Sequence, residues 1–217
     1  MEKLDRPSYE HVPSFFYRRF VKRTVDIIGS SFLLLFLFPV ILIFSVTLLI
    51  FSGRPIFYKQ LRAGLYDQPF FIWKFRTMQA EEIESSSHKY EWKDEVPQDF
   101  EFTTPQTLSI TKIGKIYRKY SIDEIPQLWN VLKGEMSVVG PRPEMIEITK
   151  HYSSTQKKRL QVKPGITGYA QVNGRSAITH GEKIAYDLYY VKHCSFFLDL
   201  KILLQTVYIV ITGKGAW

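Results

Sequence analysis

The chain has 217 residues, 45% of them hydrophobic, and a formal charge of +8. That length supports one sizeable core with an appended segment rather than two independent cores. The single cysteine, Cys194, excludes an intramolecular disulfide and any cysteine-built zinc site, and fits a domain facing a reducing compartment. The positive charge suits nucleic acid, an anionic membrane or a phosphorylated substrate, and only its distribution can choose among these.

The first 26 residues are basic, and from Ile27 to Gly53 no charged residue occurs. About 20 apolar residues span a bilayer core, so this run predicts a membrane segment. It exceeds the roughly 7–15 apolar residues of a signal peptide and lacks a small-x-small cleavage site. Arg18, Arg19, Lys22 and Arg23 precede the run, and Arg54, Lys59 and Arg62 follow it, so both flanks look cytoplasmic. One spanning helix satisfies the positive-inside rule at only one end, whereas a hairpin satisfies it at both. Pro39, near the middle, breaks or kinks a helix. On these residues alone a re-entrant hairpin and a kinked spanning helix stand level.

Residues 57–78 read as two strands joined by a turn at Tyr66, Asp67 and Gln68. In the second, Phe71, Trp73 and Phe75 alternate with Lys74 and Arg76, which predicts a half-buried strand with two cations on one face. Residues 79–108 turn acidic and polar and predict a variable surface loop or lid. Phe196 to Ile211 is apolar with Asp199, Lys201 and Gln205 interspersed, an amphipathic helix that packs on the core or lies on a membrane interface.

Residues 112–143 carry the chemistry. Ile125, Leu128, Trp129 and Leu132 keep helical spacing, Gly134 supplies a stop, and a helix is predicted to begin near Ser121. Ser121 and Glu124 form the S-x-x-E pattern of a capping box, so Asp123 and Glu124 can be read simply as first-turn acids. Their neighbours suggest more: Lys112, Lys115, Arg118 and Lys119 lie just before them, and Arg142 follows between Pro141 and Pro143. Cations beside a carboxylate keep it ionised for metal binding or nucleophilic attack, and arginines hold phosphate oxygens bidentately. The same residue types also fit a structural ion-pair network.

The stretch from Tyr120 to Pro143, YSIDEIPQLWNVLKGEMSVVGPRP, resembles the signature of the bacterial sugar transferases, the small monotopic phosphoglycosyl transferases. Lys22 to Asp26, Arg54 to Gly64, Lys74 to Met78 and Lys163 to Arg175 match as well, so the resemblance omits only the extreme N-terminus and the acidic loop. It departs at Phe38, where many members carry serine, and at Ser109, where arginine is common.

The resemblance implies transfer of a phosphosugar from a UDP-sugar to undecaprenyl phosphate through an aspartyl-phosphosugar intermediate, with release of UMP, at the start of bacterial surface-glycan assembly. Asp123 would be the nucleophile. Glu124, with Asp123, would bind Mg²⁺, and Arg118 and Arg142 would hold phosphates. Arg175 is a further candidate for the nucleotide and Lys74 and Arg76 for phosphate, while Asp187 and Asp199 would balance local charge or hold the fold as ion pairs. A re-entrant hairpin broken at Pro39 follows from the family, with Lys22, Arg23 and Asp26 where it meets the interface.

The fold expected is mixed α+β and helix-rich: a basic segment 1–26, a re-entrant membrane helix 27–53, and one compact cytosolic catalytic domain 54–217 with amphipathic interfacial helices, short strands and the variable loop 79–108. The expected place is the bacterial inner membrane, with the domain on its cytosolic face among membrane lipids. Homo-oligomerisation stays open. A non-catalytic membrane-anchored binding module explains the charge but not the acidic pair. Nucleic-acid binding finds no recognisable motif, and an ordinary nucleotide-sugar glycosyltransferase finds neither G-x-G-x-x-G nor D-x-D.

Overall fold

The computed structural model describes residues 17–78, 92, 95–101, 110–174 and 178–212. They form a mixed, helix-rich α+β fold with one apolar N-terminal helix. That helix, α1 (Lys22–Ser52), contains Pro39 and is the one helix among the described residues long and apolar enough to cross a membrane. It starts ahead of the uncharged run because the body supplies partners for its charged first turns. Arg23 donates to the carbonyls of Val131 and Leu132 at 2.6 and 2.8 Å. Asp26 accepts from the Ser137 hydroxyl at 3.0 Å and the Val138 N–H at 2.9 Å. The far end is held too. The Tyr117 hydroxyl donates to the Phe44 carbonyl at 2.9 Å, Leu48 is buried against Phe75 and Tyr117, and Arg76 donates to the carbonyls of Ser52 and Arg54. Between these anchors Leu35 and Phe36 are exposed.

β1 (Phe57–Ala63) and β2 (Pro69–Phe75) pair antiparallel, from Phe57 opposite Phe75 to Ala63 opposite Pro69. The turn falls where predicted, with Tyr66 and Asp67 in the left-handed region and the Asp67 carboxylate accepting from the Thr149 hydroxyl at 2.9 Å. The predicted facing of β2 is corrected in its first half only, since Phe75 is buried as read, against Leu48 and Tyr117. Phe70 and Ile72 are buried against Val131 and Met136, whereas Phe71 is 55% exposed. Lys74 therefore shares the inward phase, which is tolerable because a carboxylate meets it there. Asn130 fixes this register: its amide donates to the Phe71 carbonyl at 2.7 Å and accepts from the Trp73 N–H at 3.1 Å.

Next come α2 (Lys112–Lys119), capped by Thr111, and α3 (Gln127–Lys133), which stops at Gly134 in the left-handed conformation that glycine adopts freely. Trp129 was expected on the core face of α3 but is 51% exposed, and Gln127 and Asn130 are buried instead. β3 (Ser137–Val139) and β4 (Gly165–Thr167) pair in parallel. Beyond them a Cβ on Gly168 would stand 2.1 Å from the Gly140 carbonyl oxygen, so only glycine permits this approach.

The remaining helices are α4 (Ile146–Thr149), α5 (Ser154–Lys157), α6 (Tyr169–Asn173), α7 (His180–His193) and α8 (Phe196–Thr212). One core cluster gathers Ile148, Tyr152, Leu160 and Ile184, and another Val139, Tyr190 and Ile202. α8 turns Asp199 inward, where it accepts from Tyr17 and Tyr190 at 2.7 Å each and from Lys22 at 2.5 Å. Its apolar residues Phe197, Leu204 and Ile211 remain exposed.

Candidate active site

Asp123 and Glu124 sit in a 3-10 turn, Ile122–Glu124, between α2 and α3. The predicted capping box is not formed. Ser121 is left-handed, with φ 54°, and its side chain caps nothing, because the chain reverses sharply after α2. The Glu124 carboxylate has other partners: Lys74 Nζ lies 3.0 Å from Oε1, and Arg142 grips both oxygens, at 2.6 and 3.4 Å. α3 starts only at Gln127, with Pro126 at its N-cap.

The two acids are thus divided by their surroundings. Burial alone would push Glu124 up, but the charges of Arg142 and Lys74 outweigh it and hold this carboxyl well below the usual range. Asp123 is 8% exposed, and among the described residues no hydrogen bond engages its carboxylate. Burial and then the Glu124 charge push it up to about 6, against the pull of Lys74, Arg142 and Arg118. Asp123 therefore still ionises at neutral pH, as expected of a carboxylate flanked by cations, but the strongest pull of those cations falls on its neighbour. They serve Glu124, and Asp123 is left the more basic partner.

The cations around the pair come from several elements. Lys74 is on β2; Arg118, on α2, donates to the Thr77 hydroxyl at 3.0 Å. Arg142 follows β3, with its carbonyl held by Arg159 at 2.9 Å. Lys112, Lys115 and Lys119 are exposed rather than turned to the acids. Arg76 is buried, with its two terminal guanidinium nitrogens donating to the carbonyls that end α1. Asp187 pairs with Arg159 at 2.6 Å and Asp199 with Lys22, and Lys22, Arg23 and Asp26 tie α1 to the body. Arg175, Ser109 and most of the acidic loop lie outside the described residues.

Four residues went unselected in the sequence reading. Glu144 is buried, paired with Lys183 and 3.9 Å from Arg159; Arg62 stands close enough to add to the charges that hold Glu144 low. Glu144 directly follows the Pro-Arg-Pro turn, which is the only local signal it offers. Its partners come from β1, α7 and the turn after α5, and no sequence spacing connects them.

These groups line a cleft of about 830 Å³. Asp123, Glu124, Lys74, Arg118 and Arg142 meet there with Leu37, Val40 and Phe44 of α1 and Ile209 and Val210 of α8. Carboxylates and phosphate-suited cations thus share one space with an apolar helix wall, the layout of a membrane-associated enzyme for phosphate esters. The family model described as Bacterial sugar transferase matches residues 17–213, and the chain belongs to that family.

Among its relatives, the Uncharacterized sugar transferase EpsL of Bacillus subtilis is 43% identical over 195 residues, 90% of this chain and 89% of that protein. The UDP-glucose:undecaprenyl-phosphate glucose-1-phosphate transferase of Klebsiella pneumoniae is 38% identical over 204 residues, 90% of this chain and 41% of that protein. The Undecaprenyl-phosphate galactose phosphotransferase of Salmonella typhimurium is 35% identical over 209 residues, 92% of this chain and 42% of that protein. This chain therefore spans less than half the length of the latter two.

Proposed function

We propose that this protein transfers a sugar 1-phosphate from a UDP-sugar to undecaprenyl phosphate through a covalent intermediate on Asp123. The observation that carries this reading is the division of the acidic pair: Glu124 is clamped by Lys74 and Arg142, while Asp123 stays uncommitted and comparatively basic at the cleft. The relatives named for glucose-1-phosphate and galactose transfer on undecaprenyl phosphate support the substrate class.

In the first step an Asp123 carboxylate oxygen attacks the phosphorus that bears the sugar. The bond from that phosphorus to the bridging oxygen breaks, and UMP leaves with the electron pair. In the second step an oxygen of undecaprenyl phosphate attacks the same phosphorus, the bond to Asp123 breaks, and the carboxylate returns. Arg142 and Arg118 stand ready for the phosphate oxygens, whose charge must be offset throughout. Lys74 holds Glu124 and keeps it ionised.

Mg²⁺ fits the hard oxygen donors of Asp123 and Glu124. Among the described residues no group of three His, Cys, Asp or Glu gathers, so the ion would rest on these two carboxylates and the donor's phosphates, as Mg²⁺ commonly does. When bound it would offset phosphate charge.

A place at the bacterial inner membrane, with the body on the cytosolic face, agrees with the basic flanks on both sides of α1. The re-entrant reading draws support from the anchoring of both ends of α1 on one body, with bare apolar residues between and Pro39 available for the bend. The outward apolar face of α8 suits a membrane interface.

The test is UMP release by the purified full chain in detergent with Mg²⁺, undecaprenyl phosphate and a panel of UDP-sugars. At least one donor is expected to yield UMP in step with lipid-linked sugar. Silence across the panel, or UDP as the product, contradicts the reading.

A further inference from the structure

Alternate side chains of β1 face the cleft. Tyr58, Gln60 and Arg62 line it, while Phe57, Lys59 and Leu61 on the opposite face of the strand are exposed. Arg62 is half-buried, and its Nη2 donates to Gln60 Oε1 at 2.6 Å. Its Nε and Nη1 have no partner among the described residues, and neither atom is sealed from the surface.

Most other cations of the cleft are committed. Lys74 and Arg142 hold Glu124, Lys183 holds Glu144, and Arg76 donates to the carbonyls at the end of α1. Burial pulls the Arg62 guanidinium below its ordinary value; the Glu144 charge opposes this, and the like charge of Arg142 adds to it. Glu144 Oε2 is already paired with Lys183 and lies 3.9 Å from Arg159, and no ion pair among the described residues reaches Arg62. A half-buried guanidinium with an uncharged amide for its partner and a second guanidinium nearby calls for an anion.

Position selects which anion. The register sets Lys74, which grips Glu124, opposite Tyr58, so Arg62 leaves the sheet four residues, about 13 Å, farther along β1. There the Ala63 N–H donates to the Glu144 carbonyl at 2.9 Å and docks this end of the strand on the segment that carries Arg142. Beyond burial, the charges acting most on Asp123 are those of Glu124, Lys74, Arg142 and Arg118, whereas those acting most on Arg62 are Glu144 and Arg142. Arg62 therefore stands beyond Arg142 from Asp123.

In an in-line displacement the leaving oxygen departs on the side of the phosphorus opposite the nucleophile. The phosphate on that side is the one that leaves as UMP. In the second step Asp123 is itself the leaving group, so the phosphate of undecaprenyl phosphate must attack from that same side. The hexose, the base and the prenyl chain carry no charge to offset a guanidinium.

Resting on the transferase reading above, we infer that Arg62 binds the phosphate remote from Asp123 in both half-reactions, first the departing phosphate of UMP and then the attacking phosphate of undecaprenyl phosphate. One subsite thus serves twice, and its two occupants exclude each other.

The test compares the full-length wild type with Arg62→Met and Arg62→Lys in detergent with Mg²⁺, and with Lys59→Met as a control for charge on the outer face of the same strand. The readouts are the dissociation constant of UMP, from the rise in unfolding temperature that it produces, and kcat/KM for undecaprenyl phosphate. Loss of a charge-assisted donor should weaken UMP binding and lower kcat/KM for the lipid phosphate by about ten- to a hundredfold each in Arg62→Met. Arg62→Lys should recover part of both, and Lys59→Met should stay within about twofold of the wild type. A change in only one of the two constants overturns the shared subsite, and no change in either overturns the phosphate contact. Equal losses in Arg62→Met and Arg62→Lys, with a lowered unfolding temperature in the absence of UMP, would make Arg62 a packing residue and overturn the inference as well. Absence of turnover by the wild type with every donor contradicts the transferase reading itself and removes this inference with it.

Discussion

Arg142 Nη2 lies 2.6 Å from Glu124 Oε1, and the same guanidinium reaches the second oxygen of that carboxylate. Lys74 completes the clamp from the buried side. With both oxygens of Glu124 engaged, the neighbouring Asp123 is the carboxylate left available to a substrate.

Glu124→Gln should therefore destabilise the protein by on the order of 3 kcal/mol at neutral pH, because Lys74 keeps its half-buried position without a carboxylate. The sign follows from the depressed folded-state value of Glu124. Its stabilisation is fully present above the unfolded value near 4.5 and is lost as pH falls through the folded-state value. Thermal unfolding in detergent at pH 7.5 should drop by several degrees, and the gap should narrow progressively as pH falls below about 4.5. An unchanged unfolding temperature at pH 7.5 would remove the clamp from this account.

Asp123→Asn should do the opposite while abolishing turnover. Its folded-state value of about 6 lies above the unfolded 3.8, so the ionised carboxylate opposes folding above about 6 and ceases to do so below about 4. The variant should gain on the order of 2–3 kcal/mol at pH 7.5, and the gain should fade between pH 6 and pH 4. A destabilised variant at pH 7.5 would mean that Asp123 is held by its cations after all.

Asn130→Ala tests what orders the hairpin behind the site. Its buried amide serves the Phe71 carbonyl, the Trp73 N–H and the Glu135 carboxylate. Leaving the two main-chain groups unpaired should destabilise by about 3 kcal/mol, measurable as a lower midpoint in thermal unfolding. A shift of under a degree would show that β2 is held by its strand partner alone.

The limits of sequence reading are visible at these same residues. The apolar run, the hairpin turn at Tyr66 and Asp67 and the stop at Gly134 are local patterns, and the structure places them as read. The phase of β2 was misread in its first half because both of its alternating sets are apolar; Phe70 and Ile72 won the core there through Val131 and Met136, which are distant in sequence, while Phe75 is buried as read. The capping pattern at Ser121 was real as a pattern, but the cations of Lys74 and Arg142 outcompeted a main-chain N–H for the Glu124 carboxylate. Glu144 with Lys183, and Arg159 with Asp187, are long-range pairs that no periodicity encodes.

The re-entrant reading of α1 makes a topological prediction. With Cys194 replaced by serine, Phe20→Cys and Arg54→Cys should both react with a membrane-impermeant maleimide from the cytosolic face of inverted vesicles, and neither from the opposite face. A spanning helix would label the two positions from opposite sides.

The most direct measurement is mass spectrometry of the purified protein mixed with its UDP-sugar donor alone. The account predicts a mass increase equal to one sugar phosphate, mapped to Asp123, absent in Asp123→Asn and discharged on adding undecaprenyl phosphate. An adduct on another residue, or turnover that continues in Asp123→Asn, would contradict it.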